Sequence, residues 1–270
     1  MALTRVLITV KTYPTISAKY DELVCTAGFR EDGTWVRIYP VPFRKRVYTE
    51  QYKKYDWIEL DLVKNTSDFR PESYRPASLE TEISVVGHIN TARNWEERKS
   101  LCLRKIYYNL SELITEAKDK NVGTSLAVFK PTEILDFYAE PVDRDWSQKK
   151  LDALSQLNLF ETNMKGEFEV VKKLPYKFKF KFKDNQGKES NMMIEDWETG
   201  QLFWKQLAKY EGNEQGAIED VREKYFDDFA LTKDIHFYLG TTQRHHNTAP
   251  NPFIIIGVFH PKVENQMKLF

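Results

Sequence analysis

Residues 176–182 read Tyr176-Lys177-Phe178-Lys179-Phe180-Lys181-Phe182. Strict alternation of aromatic and cationic residues has the period of a β-strand, whose successive side chains point to opposite faces. It predicts a strand that turns Tyr176, Phe178, Phe180 and Phe182 to one face and the lysines to the other. Asp184 to Lys188 supplies a turn, and Asn191 to Ile194 returns as the partner strand before a helix that starts near Asp196. A further helix is expected over Ala217 to Phe229, with Ile218, Val221, Tyr225 and Phe229 on one stripe. Two closing strands, Ile235 to Leu239 and Phe253 to Phe259, flank a polar loop.

Towards the N-terminus the pattern changes. Arg5 to Lys11, Leu23 to Arg30, Thr34 to Tyr39, Trp57 to Val63 and Ile83 to His88 are short β-type runs. They are punctuated by Tyr13-Pro14, Asp32-Gly33, Pro40-Val41-Pro42 and Arg70-Pro71. Asp32-Gly33 between two such runs is a hairpin signal. Many short strands without long helices predict a small twisted sheet or partly closed barrel. Trp95 to Lys120 shows helical spacing instead, with Cys102, Leu103, Ile106, Leu110, Leu113, Ile114 and Ala117 on one side. Ser125 to Phe129 and Ile134 to Tyr138 read as extended pieces, and Asp145 to Leu157 as another helix. The fold class is therefore α+β. Three parts are expected: a β-rich domain over 1–140 with its following helix, a linker and helix over 141–175, and an α+β domain over 176–270.

Lys+Arg and Asp+Glu balance at 40 each, so no net field draws the whole molecule onto nucleic acid or an anionic membrane. Any nucleic-acid surface must be local. The two cysteines, Cys25 and Cys102, have no close-spaced partner, which fits a reduced cytoplasmic setting. The opening residues lack the apolar core and cleavage site of a signal peptide, and no run is long enough to span a bilayer.

Three stretches could carry chemistry. Ile194-Glu195-Asp196-Trp197-Glu198 places carboxylates at a strand-to-helix junction. Asp196 as an N-cap is a sufficient explanation, while Glu195 and Asp196 could also serve as acid, base or ligands of a divalent metal. Asp184 and Glu195 stand where a restriction-type nuclease carries acids, but Trp197 occupies the catalytic lysine's place. The loop Gly240 to Pro252 gathers Thr241, Thr242, Arg244, His245 and His246. One histidine could be a general base or metal ligand, with Arg244 holding a phosphate. Finally, Arg37, Arg44, Lys45, Arg46, Lys53 and Lys54 interleave with Trp35, Tyr39, Phe43, Tyr48, Tyr52 and Tyr55. Phosphates take up such charge, and unstacked bases take up such rings.

The runs Lys11 to Pro14, Glu22 to Gly28 and Trp35 to Arg44 resemble the N-terminal region of an uncharacterised bacterial protein family. Ile194 to Glu198 and Phe237 to Thr241 resemble its C-terminal half. Some relatives carry Cys and His pairs before the Asp-Trp-Glu segment, whereas Phe178 to Met193 here has none. The resemblance implies a place among mobile-element or phage-defence genes. The N-terminal strands also resemble the small barrels of the PUA and ASCH type, which implies contact with RNA or a modified base. These readings lead to a nucleic-acid-associated binding protein, with DNA or RNA as partner. Two alternatives stand beside it: a metal-dependent hydrolase or nuclease using Glu195, Asp196, His245 and His246, and a protein-interaction subunit of a larger complex.

Overall fold

In a computed structural model, residues 3–17, 21–46, 48–148, 150–152 and 171–264 are described. The chain forms two compact units, one of Met1–Ile89 with Glu140–Lys177 and one of Asn90–Ala139 with Phe178–Phe270. The architecture is mixed α+β.

The first unit holds β1 (Thr4–Lys11), β2 (Thr15–Ser17), β3 (Asp21–Phe29), β4 (Trp35–Val41), β5 (Asp56–Leu60), β6 (Leu62–Lys64), β7 (Ser73–Pro76) and β8 (Ser84–His88). They pair in the order β6-β7-β4-β3-β1-β5-β8, with β2 added to β3. All pairs are antiparallel except β4 with β7. In β1, Val6 to Lys11 are buried without interruption, so the strand is covered on both faces; this is why it reads as an apolar run and not as an alternation. Asp32-Gly33 makes the β3–β4 turn: Gly33 takes φ +84°, and Asp32 Oδ1 accepts the Thr34 N–H at 2.8 Å. The run Trp57 to Val63, expected as one strand, breaks at Asp61 into β5 and β6. Those two strands lie near opposite ends of the pairing order yet are one residue apart in the chain, which spans at most about 7 Å. The sheet must therefore curl round on itself.

The second unit contains α1 (Ala92–Cys102), β9 (Ile106–Tyr107), α2 (Leu110–Lys118), β10 (Leu126–Phe129), and most of β11 (Glu133–Pro141) and β12 (Tyr176–Lys183). It continues with β13 (Glu189–Met193), α3 (Trp197–Lys209), α4 (Glu214–Arg222), β14 (His236–Thr241) and β15 (Phe253–Phe259). Two sheets form, β15-β14-β10-β9 and β11-β12-β13. The aromatic face of β12 is the core: Phe178, Phe180 and Phe182 are buried, with Phe180 4.9 Å from Phe237 and 4.7 Å from Phe137, centroid to centroid. Aromatic pairs at such separations add about 0.5–1.5 kcal/mol each beyond their buried area. On the opposite face, Lys181 and Lys183 pair with Glu189 and Glu133, both at 2.9 Å.

The helix expected over Trp95 to Lys120 is two helices separated by β9. Ile106 and Tyr107 pair in parallel with Val128 and Phe129. Asn109 then starts α2 afresh, its side chain accepting the N–H groups of Ser111 and Glu112, while Asp184 Oδ2 accepts that of Leu110. Pairing with the buried strand β10 and a new cap outweigh the helical periodicity. α4 runs directly into a π-helical stretch, Glu223–Ala230. The helix expected over Asp145 to Leu157 reaches beyond the described residues at 153–157. No helix among the described residues is long and apolar enough to cross a membrane.

Candidate nucleic-acid interface

The basic, aromatic stretch after β4 does not lie flat on the surface. Two short 3-10 turns, Phe43–Lys45 and Tyr48–Glu50, fold it back, and Phe43, Tyr52 and Tyr55 are buried. Lys11, at the end of β1, lies beneath it. Its ammonium donates to the Tyr52 carbonyl at 3.2 Å and sits 4.3 Å from the Phe43 ring centre. Tyr52 OH lies 2.5 Å from Thr26 Oγ1, and burial pushes the phenol well above its usual range.

The six cations expected there have separate fates. The Arg46 side chain is only 6% exposed: Nη1 donates to Glu50 at 2.7 Å and to the Thr81 carbonyl at 2.9 Å, and Nη2 to the Leu79 carbonyl at 2.9 Å. It staples the turn segment to the loop before β8. Lys54 is buried, and Arg44 is half-buried. Lys53 is exposed, and its backbone N–H donates to Asp56 Oδ2, whose other oxygen meets His88 Nδ1 at 2.6 Å. The Lys45 side chain lies outside the described residues.

Arg37 points elsewhere. It is 3% exposed, and its Nη1 donates to Ser73 Oγ at 3.4 Å. Ser73 Oγ in turn donates to Asp68 Oδ2 at 2.8 Å, and Asp68 is clasped by the Arg70 guanidinium, Nη2 to Oδ2 at 2.5 Å and Nε to Oδ1 at 2.9 Å. Burial, then the neighbouring Arg70 charge, lowers Arg37 to about 10. For Asp68, burial alone would raise the carboxyl, but the hydrogen bonds and charge of Arg70 outweigh it and hold the pKa at about 2. Cys25 shares this environment; burial raises its thiol, opposing thiolate chemistry. Asp68, Arg70, Ser73 and Lys11 escaped the sequence reading. Their signal was present, though unused: a lysine closing an apolar strand, and an acid and an arginine two apart in a short inter-strand loop.

In the second unit, Asp196 is 1% exposed and occupies the N-cap position of α3, with extended backbone (φ −104°, ψ 137°) but no capping hydrogen bond from its side chain. Glu195 is half-buried, and its N–H donates to the Ile255 carbonyl at 2.8 Å. His246 is 1% exposed with Nδ1 2.8 Å from Thr241 Oγ1, while His245 and Arg244 are exposed. Register separates the two groups. Ile194 bridges Ile255 in parallel, which puts Asp196 level with Gly257 and its partner Tyr238. Thr241 pairs with Phe253, three residues further along β14 and therefore roughly 10 Å away along the strand. Asp184 accepts three backbone N–H groups, those of Leu110, Gln186 and Lys188, so it serves as a turn anchor. Asp227 pairs with Arg222, and Asp228 with Lys224 and Lys233. No group of three or more His, Cys, Asp or Glu that could hold a metal ion occurs among the described residues.

A family model described as Domain of unknown function (DUF8758) matches residues 2–104, and one described as Domain of unknown function (DUF8757) matches residues 108–270. No curated protein matches the chain. Among solved structures it is similar to one titled "Structure of murine DNA binding protein bound with ds DNA", at 11% identity, with 98% of each chain covered and a TM-score of 0.33. The second family match takes in well over half of the chain, and the protein belongs to the DUF8757 family.

Proposed function

We propose that the protein binds nucleic acid, DNA or RNA, through its first unit. The observation that carries this reading is local charge. Phe43 to Lys54 contains five cations, Arg44, Lys45, Arg46, Lys53 and Lys54, against one acid, Glu50, in a chain with no net charge overall. The Arg46–Glu50 pair takes up that acid and fixes the shape of the segment, in which Lys53 is exposed and Arg44 half-buried. Neutralising phosphates releases condensed counterions, which is the driving force such a segment supplies. Arg244 in the β14–β15 loop of the second unit offers a second contact.

The test is a salt series of filter-binding measurements on the double variant Arg44→Ala/Lys53→Ala. Removing two phosphate contacts lowers the magnitude of the slope of log K against log salt by about 1.5 relative to wild type. An unchanged slope contradicts the assignment of these two residues.

A further inference from the structure

The β6–β7 hairpin carries a second group of aromatics and cations, one that no motif announced. Its loop, residues 65–72, is unusually well braced from below. Asn65, Asp68, Arg70 and Ser73 are all at most 9% exposed. Asn65 Oδ1 accepts from Ser67 N and Oγ at 3.3 and 2.7 Å, the Asp68 N–H donates to the Asn65 carbonyl at 3.1 Å, and the Ser73 N–H donates to the Arg70 carbonyl at 3.1 Å. The Asp68–Arg70 pair is turned inward on either side of Phe69, and Phe69 is left 57% exposed. A single exposed apolar residue needs no explanation by itself. The rest of the hairpin supplies the second observation. The half-buried Tyr74, cross-strand from Lys64, has Arg30 Cζ at 4.6 Å and Lys64 Nζ at 4.8 Å from its ring centre. Lys64 is held there by donating to the Pro71 carbonyl of the same loop, and the exposed Arg75 follows on β7.

We infer that this hairpin is a stacking site for an unpaired base of single-stranded nucleic acid, with Phe69 as the aromatic surface and Arg30 and Lys64, packed against Tyr74, taking the flanking phosphates. The inference rests on the nucleic-acid reading above and narrows it to single strands. Aromatic surfaces stack on any base, and interleaved cations follow the backbone without reading sequence. A duplex has its bases already stacked and would use only the cations. Because β7 runs parallel to β4, the loop preceding β7 stands near the start of β4, whereas Arg44 follows its end. Tyr74 is level with Ile38, about 10 Å along the strand from the end of β4, and Arg44 lies in the turn beyond that end, so the two surfaces are tested by separate substitutions.

The experiment compares wild type, Phe69→Ala and Phe69→Trp in anisotropy titrations with a labelled oligonucleotide of roughly 15 nucleotides, as a single strand and as a duplex. Melting curves confirm that each variant is folded. Phe69→Ala is expected to weaken single-strand binding at least about fivefold and leave duplex binding unchanged. Phe69→Trp, which keeps an aromatic surface, retains wild-type single-strand affinity. Equal effects on both nucleic acids, no effect on either, or a tryptophan variant as weak as the alanine one overturns the stacking site while leaving the broader reading intact. Wild type that binds neither form overturns both.

Discussion

Asp68→Ala is expected to lower the unfolding free energy by about 3–5 kcal/mol, because it leaves the buried Arg70 without its carboxylate and removes the acceptor of Ser73. Arg37, joined to the same network through Ser73, loses one of the two carboxylates that favour its charge, Glu72 being the other. The loss would appear as a shift of the urea midpoint with an unchanged m-value. A change under about 1 kcal/mol would mean that the pair behaves as a surface salt bridge. The same group sets an acid dependence. Asp68 has a folded pKa of about 2, below its ordinary value of 3.8, so its contribution is fully present above the unfolded pKa. It is lost as pH falls from about 4 towards 2. In Asp68→Ala that part of the acid-unfolding slope should be absent.

The second large effect is expected at Gly28, where β1 and β3 lie unusually close. A Cβ on residue 28 would fall 1.9 Å from the Leu7 carbonyl oxygen and 2.8 Å from its carbon. Both are backbone atoms, so no rotamer change can relieve the contact and the strands must separate. Inserting a methyl group into a packed core costs about 1–3 kcal/mol when side chains can adjust. Gly28→Ala should exceed that range in thermal or denaturant unfolding. Gly187→Ala is the control for a less constrained glycine: its φ of +74° is strained for alanine, but no atom lies within 4 Å of the added Cβ, so it should cost only about 1 kcal/mol.

Much of the fold was legible because hydrophobic period and turn chemistry are local. The alternating run at β12, the Asp32-Gly33 hairpin and the apolar β15 occur where they were expected, since each element's burial is written in its own residues. What could not be read depends on partners distant in sequence. Ile106 and Tyr107 leave the helical pattern because β10 offers them a strand to pair with, and the break at Asp61 is imposed by closure of the curled sheet. The site was legible in composition only. The sequence shows that Arg37, Arg44, Lys45, Arg46, Lys53 and Lys54 cluster. It cannot show that Arg37 turns into an ion-pair network, that Arg46 is consumed as a staple, or that Phe69 is held outward by the charges on either side. His246 likewise lies buried against Thr241 while its neighbour His245 faces solvent.

The most direct test of nucleic-acid binding is the affinity of the full chain for a labelled single-stranded oligonucleotide, measured by anisotropy from about 50 mM to about 200 mM salt. The local charge of the first unit predicts binding at the low end that weakens steeply as salt rises, with a log–log slope of about −2 or steeper. Absence of binding at the lowest salt, or an affinity independent of salt, would contradict it.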